Sequence, residues 1–206
     1  MRTLLAALAP AALAPVALAL VAAPAAAQED TAEARIGAAF EGLSRCHVPL
    51  SQEGAHEMHV VSAPVSWSDE PGTWTIGLMT CALGAYNVVN AVIVDDGFEA
   101  GLAAFAAPLI EAEEEGDAVT ALRLAGFGAS TLLVNAVVDP ATGAVTEGAR
   151  LRGLGDASTF GRWELRDGAY ALVRYEADLS YDGEINPWLV VEDGLPVEPA
   201  PLPAGR

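Results

Sequence analysis

The loop Arg152-Gly-Leu-Gly-Asp156 combines residue types that can bind a charged ligand. Its two glycines permit backbone shapes closed to other residues, so the loop can bend sharply and expose amide N–H groups. The guanidinium of Arg152 can clamp a carboxylate or a phosphate through two parallel hydrogen bonds. Asp156 can orient that guanidinium or bind a cation. The alternative is that Asp156 accepts backbone N–H groups and pairs with Arg152, which would fix a turn.

A second candidate stretch, Thr80-Cys-Ala-Leu-Gly-Ala-Tyr-Asn87, joins two apolar runs. Gly84 is expected to turn the chain at positive φ. Tyr86 and Asn87 can line a ligand pocket together with the Arg152 loop. Alternatively, Tyr86 is a core tyrosine with a satisfied hydroxyl group, and Asn87 makes a turn. The predicted ligand-binding residues are therefore Tyr86, Asn87, Arg152 and Asp156.

Two further patterns suggest metal ions but fit them poorly. His56 and His59 would point to opposite faces of a strand and would share a face only on a helix, and their spacing is not that of H-E-x-x-H. The segment Asp178–Asn186 has the oxygen donors and the glycine of a calcium loop. Its twelfth position is Leu189 rather than glutamate, and its flanks are strand-like, so a polar connection between strands is expected. We predict no metal and no cofactor.

Signatures of catalysis are also weak in this chain. The sequence has no G-x-S-x-G nucleophile turn, no phosphate loop and no dinucleotide fingerprint. We predict no catalytic residue and favour a binding protein over an enzyme. The alternative is a hydrolase in which Asp156 and another carboxylate transfer protons.

The elements that would position these loops are mostly strands. Apolar runs at Trp74–Met79 and Val88–Val94 flank the Thr80–Asn87 stretch and predict a hairpin. Turn signals at Asp139–Gly143 and at Asp167-Gly168 recur at the spacing of an antiparallel meander. The other predicted strands are Val119–Leu124, Thr131–Val138, Ala144–Leu151, Gly161–Arg166, Tyr170–Glu176 and Trp188–Glu192. The expected fold is mainly β, meander or sandwich-like, with a short N-terminal helix at Thr31–Arg45; α+β is the alternative.

Three segments between these elements are expected to be irregular or helical. His47–Pro71 is predicted to be irregular, with a strand-like piece divided by Pro64, and Ser68–Gly72 has the composition of a turn. Phe98–Ala107 is expected to form one or two helical turns that end at Pro108. Ile110–Asp117, which contains four glutamates, is expected to be an acidic loop or the end of a short helix.

The N-terminal segment predicts export. Arg2, the apolar run Leu4–Val21 and the small residues Ala25–Ala27 have the order of a cleaved signal peptide. A retained N-terminal anchor is the alternative. We therefore expect residues 1–27 to be removed, residues 28–195 to form one β-rich domain, and residues 196–206 to be a flexible proline-rich tail. The expected location is the periplasm, with no stable membrane anchor after cleavage.

Cysteine count and charge agree with an exported protein. Cys46 and Cys81 are the only cysteines and are expected to form a disulfide; two separate buried thiols are the alternative. The chain has 28 acidic and 10 basic residues, a net charge of −18, and no lysine. Such a surface repels nucleic acids and anionic lipids, and it permits cationic partners or divalent ions. The simpler reading is that the charge maintains solubility.

Several motifs together resemble a family of bacterial exported proteins known as domain of unknown function family 1176. The resemblance rests on Cys81-Ala-Leu-Gly-Ala-Tyr-Asn87, on the Asp139–Gly143 turn, on the Arg152–Asp156 loop, and on Trp163 with Asp167-Gly168-Ala-Tyr170. It spans roughly Leu78 to Trp188. The chain departs from the pattern at Ala157 and at Leu179–Tyr181, where the family has cysteines. The resemblance implies an exported envelope protein with a β-rich fold and implies no activity.

These observations favour an exported, non-catalytic periplasmic module that binds an unidentified protein or small ligand. The surface expected to bind combines the Tyr86–Asn87 pair with the Arg152–Asp156 loop. The alternatives are the envelope hydrolase described above and a structural component of an envelope assembly, which would expose an apolar patch of several hundred Å².

Overall fold

The protein is mainly antiparallel β-sheet with one short helix near its N-terminus. A computed structural model describes residues 30–116 and 118–198. The predicted fold class, mainly β with a short N-terminal helix, is confirmed. Within the described ranges the elements are α1 Ala32–Glu41, β1 His56–Val65, β2 Ser68–Leu83, β3 Val88–Asp95, β4 Ala100–Leu102, β5 Phe105–Glu115, β6 Ala118–Ser130, β7 Leu132–Val134, β8 Val137–Val138, β9 Val145–Arg150, β10 Ser158–Arg166, β11 Ala169–Asp178, β12 Trp188–Glu192 and β13 Leu195–Pro196.

The first sheet is built around the predicted central hairpin. Its strand order is β1-β2-β3-β4, and β7 also pairs with β3. Strands β2 and β3 are apolar on both faces, because one face packs on the second sheet and the other packs on α1. The chain turns after β3 at Asp96-Gly97, where Gly97 has a φ of 94°.

The second sheet is a meander with the strand order β13-β12-β11-β10-β9-β8. The hairpin between β10 and β11 turns at Asp167 and Gly168, whose φ angles are 52° and 76°. Both values lie in the left-handed region that a type I′ turn requires, and an Asp-Gly pair tolerates them. The predicted Asp-Gly hairpin and the Asp139–Gly143 turn are thus both present.

Strands β5 and β6 form a separate two-stranded hairpin in place of two predicted segments. The helical turns predicted at Phe98–Ala107 are wrong, because this segment supplies β4 and the start of β5. The acidic loop or helix end predicted at Ile110–Asp117 is also wrong, because residues 110–115 lie in β5. A two-stranded ribbon exposes much of its surface, so its strands can carry glutamates that a buried strand would exclude.

Prolines misled the prediction for residues 47–71. Pro64 does not divide a strand but lies within β1, at the edge of the first sheet, and the pairing is irregular between Ala63 and Val65. Proline is tolerated on an edge strand because one side of that strand has no ladder hydrogen bonds to lose. The turn predicted at Ser68–Gly72 is likewise wrong. These residues begin β2, and the chain reverses at Ser66-Trp67.

Two hydrophobic cores lie on opposite faces of the first sheet. The larger core lies between the sheets and is closed along one side by residues of the β5–β6 hairpin such as Phe105 and Leu122. Within it, Phe105 stacks on Tyr170 and meets the edge of Trp163, with ring centroids 4.8 and 5.4 Å apart. The smaller core buries Ile36 and Phe40 of α1 against β2 and β3.

Two contacts attach the helix and the segment after it to the first sheet. Arg35 donates from Nε and Nη2 to the two carboxylate oxygens of buried Asp95, at 2.6 and 2.8 Å. The guanidinium of Arg35 holds the pKa of Asp95 below its ordinary value. After the helix, Cys46 and Cys81 form the expected disulfide. The helix ends at Glu41, earlier than the predicted Arg45, and Gly42 is its C-cap residue.

The predicted chain ends fall largely outside the described residues. The predicted signal peptide, residues 1–27, and residues 199–206 of the predicted tail lie there. Leu195 and Pro196 form β13 on β12, so the second sheet extends one residue beyond the predicted domain end. In the parts of the chain that are described, the only helix is too short to cross a membrane.

Candidate functional site

Three loops meet at one end of the two-sheet structure. They are residues 84–87 between β2 and β3, residues 151–157 between β9 and β10, and residues 179–187 between β11 and β12. We call these loops, with the adjoining Leu83, the loop platform. All four residues predicted to bind a ligand lie on it, and the structure brings the two predicted stretches into contact.

Asn87 joins the first loop to the second sheet. Its side-chain amide donates to the carbonyl of Arg150 at 2.8 Å, and its carbonyl oxygen accepts the Arg150 N–H at 3.2 Å. The same oxygen also accepts from the side chain of Asn135 at 2.9 Å. Asn135 in turn accepts the Val88 N–H at 2.7 Å and donates to the Gly148 carbonyl at 2.8 Å. Asn87 therefore acts as a crosslink between the sheets.

Arg152 and Asp156 form a bidentate ion pair inside the second loop. Arg152 Nε donates to Asp156 Oδ1 at 2.6 Å, and Arg152 Nη2 donates to Oδ2. Asp156 is only 2% exposed, and its Oδ2 also accepts the Gly183 N–H at 2.9 Å. Arg152 further donates to the Tyr181 carbonyl at 2.9 Å, and its guanidinium lies 5.4 Å from the centre of the Tyr181 ring. The pair thus joins the second and third loops.

Tyr86 lies where the first and second loops touch. Two of its ring carbons are 3.7 Å from the position that a Cβ atom would take on Gly153. The residue remains 44% exposed, so it is not a core tyrosine. Its ring covers the glycine-containing loop on one side and faces solvent on the other.

Gly84 is required for a different reason from the one predicted. It does not adopt a positive φ. Instead, its N–H donates to the Asn87 carbonyl at 2.7 Å, and a Cβ atom would lie 2.9 Å from that oxygen. A side chain at this position would push apart the two ends of the loop.

The platform displays apolar side chains around this bonded framework. Six large apolar or aromatic residues on its three loops and at the end of β2 are exposed: Leu83 (61%), Tyr86 (44%), Leu151 (41%), Leu154 (79%), Tyr181 (50%) and Ile185 (72%). Isolated exposed apolar residues are normal, but a group of them on adjoining loops is typical of an interaction surface. The polar residues hold the loops, and the apolar side chains face solvent.

The two patterns that suggested metal ions, His56 with His59 and Asp178–Asn186, lie on a strand and in a hydrogen-bonded loop. His56 and His59 lie on strand β1. Asp178 is fully buried and accepts hydrogen bonds from the Ser180 N–H, the Ser180 hydroxyl and the Asn186 N–H, at 2.7 to 3.1 Å. It therefore organises the polar connection that the sequence predicted. Within residues 30–116 and 118–198, no group of three or more His, Cys, Asp or Glu residues is arranged to hold a metal ion.

Glu147 was missed by reasoning from the sequence. It lies on β9 opposite Gly161 of β10, and it accepts the Val134 N–H at 3.2 Å. Burial raises the pKa of its carboxyl group above the ordinary value. Strand alternation could have found it, because residues 145 and 147 point to the same face and Val145 is fully buried.

Comparisons with known proteins give no information about the loop platform. No family model matches the chain, and the comparisons with curated proteins and with solved structures find no match either. The resemblance to domain of unknown function family 1176 rests on the sequence motifs alone and stays a prediction.

Proposed function

We propose that the protein is a non-catalytic binding module of the bacterial envelope, and that a protein partner docks on the loop platform. The observation that carries this proposal is the division of labour on the platform. The polar side chains of the platform form their hydrogen bonds within the protein, as Asn87, Arg152 and Asp156 do. Apolar side chains such as Leu154 and Ile185 face solvent. Rigid loops that present apolar side chains bind with little loss of conformational entropy.

Export to the periplasm, with cleavage after residue 27, is part of the same proposal. The Cys46–Cys81 disulfide supports it, because disulfides persist in oxidising compartments. The motif resemblance to domain of unknown function family 1176 supports it as well. We propose no cofactor for this function.

The partner is expected to offer an apolar centre surrounded by basic groups. Asp182 and Glu184 are exposed carboxylates on the third loop, beside Ile185. The chain as a whole carries a net charge of −18. Complementary charge speeds association and favours correct partners. The same charge argues against nucleic acids and anionic membranes as partners. A small ligand on the platform is the alternative to a protein.

An envelope hydrolase that uses Asp156 is less well supported. Both carboxylate oxygens of Asp156 accept hydrogen bonds, from Arg152 and from the Gly183 N–H. A general base needs a lone pair directed at its substrate, and a carboxylate held by a bidentate guanidinium is poorly placed to provide one. A structural role in an envelope assembly would use the same apolar surface and differs only in the permanence of the contact.

The test is capture of partners from an envelope extract by the mature chain, quantified by mass spectrometry. The Leu154→Ser/Ile185→Ser double variant removes two exposed apolar groups without adding charge. Val60→Ser is the matched control, since Val60 is 70% exposed on β1 and lies outside the platform. We expect a discrete partner to be retained by the wild type and the control, and captured at least about tenfold less by the double variant. Equal capture by all three proteins would refute docking on the platform.

A further inference from the structure

A groove lies at the end of the molecule opposite the loop platform. Its volume is about 670 Å³, within the range of about 300 to 1,000 Å³ common for small-molecule sites. Three tight turns surround it, at Ser66-Trp67, at Asp96–Glu99 and at Asp167-Gly168. Two of these turns are joined, because the Ser66 N–H donates to Asp167 Oδ1 at 2.5 Å and the Asp167 N–H donates to the Pro64 carbonyl at 3.2 Å.

Aromatic residues line the groove at two depths. Trp67 and Phe98 are 69% and 88% exposed and form its rim. Trp74 and Tyr170 are buried beneath them, and the Tyr170 hydroxyl donates to the Gly143 carbonyl at 3.0 Å. Two large aromatic rings that are exposed on the rim of one groove are typical of a ligand or interaction site.

The charged residues of the groove all have the same sign. Asp96, Glu99 and Asp167 line it, and no basic residue is among its described lining residues. Asp96 Oδ1 accepts the N–H groups of Phe98 and Glu99 at 2.8 and 2.9 Å, and these bonds keep its pKa below the ordinary value. The groove therefore keeps negative charge beside its aromatic rim at neutral pH.

We propose that this groove binds a small organic cation that carries an alkylammonium group. Aromatic faces attract such cations through their negative π faces, and carboxylates add charge attraction that a neutral ligand would lack. An inorganic or organic anion is excluded by the same carboxylates. The site is distinct from the loop platform and does not depend on the partner proposed there.

Choline is the probe that tests this proposal on the mature chain. Its neutral isostere, 3,3-dimethylbutan-1-ol, has the same shape without the charge. Tryptophan fluorescence is a direct readout, since Trp67 lies on the rim, and calorimetry gives an independent dissociation constant. We expect saturable choline binding that weakens with added salt. The neutral isostere is expected to bind at least about tenfold more weakly.

Two variants test whether choline binds at the aromatic rim and whether the carboxylates of the groove contribute. Phe98→Ala and Glu99→Gln should each weaken choline binding, Phe98→Ala by about three- to thirtyfold. Tyr86→Ala is the matched control, because Tyr86 is an exposed aromatic residue of the loop platform. Equal binding of choline and the neutral isostere would overturn the proposal in favour of a neutral ligand. Absence of binding, or equal weakening by Tyr86→Ala, would overturn it outright.

Discussion

The two ends of the molecule are built by different means. At the loop platform, long-range side-chain hydrogen bonds hold the loops, chiefly those of Asn87, Arg152 and Asp156. At the groove, short turns joined by one long-range side-chain hydrogen bond, from the Ser66 N–H to Asp167, form the walls, and the rings of Trp67 and Phe98 extend into solvent. Residue types that suggest chemistry in the sequence thus serve the architecture at one end. At the other end, Trp67 and Phe98, which belong to no motif recognised in the sequence, line a groove together with the Asp167-Gly168 turn.

The comparison predicts that polar substitutions will damage the platform more than aromatic substitutions will damage the groove. Asp156→Ala should have the largest effect, a loss of about 3 kcal/mol in the free energy of unfolding, because it removes a buried carboxylate that accepts hydrogen bonds from the half-exposed Arg152 guanidinium and from the Gly183 N–H. Urea denaturation measures this loss. Glu184→Ala, at an exposed position of the third loop where only the backbone N–H is hydrogen-bonded, is the control and should change stability by less than about 0.5 kcal/mol. Equal losses in the free energy of unfolding would contradict the claim that Asp156 holds the loops while exposed residues of the platform do not.

Asn87→Ala should come next, at about 2 kcal/mol. The substitution removes the partner of the Arg150 N–H and carbonyl groups and one of the two acceptors of the Asn135 amide, which keeps its bond to the Gly148 carbonyl. Hydrogen exchange should then show faster opening of the loops at 84–87 and 151–157, with little change at the Asp167-Gly168 turn. If hydrogen exchange became faster by the same factor throughout the chain, the platform loops would not open separately from the rest of the fold.

Glu147→Gln should raise stability at neutral pH. Because burial raises the pKa of Glu147, folding favours its protonated form. The wild type therefore loses stability as the pH rises from about the ordinary value of 4.5 through the raised value. The stability difference between variant and wild type, measured by urea denaturation from pH 4 to pH 8, should grow with pH. A constant difference would mean that Glu147 is not desolvated.

Trp67→Ala should have the smallest effect on stability, within about 0.5 kcal/mol, because its side chain is largely exposed. The same substitution should weaken choline binding. A thermal melt and a choline titration of one protein sample test both statements together. A large loss of stability would show that the rim holds the fold instead of displaying a binding surface.

Much of the fold could be predicted from the sequence, because its strongest signals are local. The Trp74–Val94 hairpin, the Asp167-Gly168 turn and the disulfide all depend on neighbouring residues or on a simple count of cysteines. The predicted secondary structure was wrong where strand pairing overrides the local preference of the residues for helix or turn. The alanine-rich segment 98–107 favours helix by propensity, yet it forms strands because it pairs with β3 and β6.

The candidate site was predictable only in part. Reading the sequence selected Asn87, Arg152 and Asp156, and the structure places them on adjoining loops. The sequence could not reveal that Gly183, from a third loop, supplies a hydrogen bond to Asp156. It also could not reveal the groove, because Trp67 and Phe98 stand 31 positions apart in the sequence and reach the same end of the first sheet only when β2 pairs with β3.

The most direct test of separate roles for the two ends is the dissociation constant of the platform partner, measured for three proteins. These are the wild type, the Leu154→Ser/Ile185→Ser variant and Trp67→Ala. We predict that the platform variant binds at least about tenfold more weakly, whereas Trp67→Ala stays within about twofold of the wild type. Weaker binding by Trp67→Ala with unchanged binding by the platform variant would contradict this assignment and move the partner to the groove.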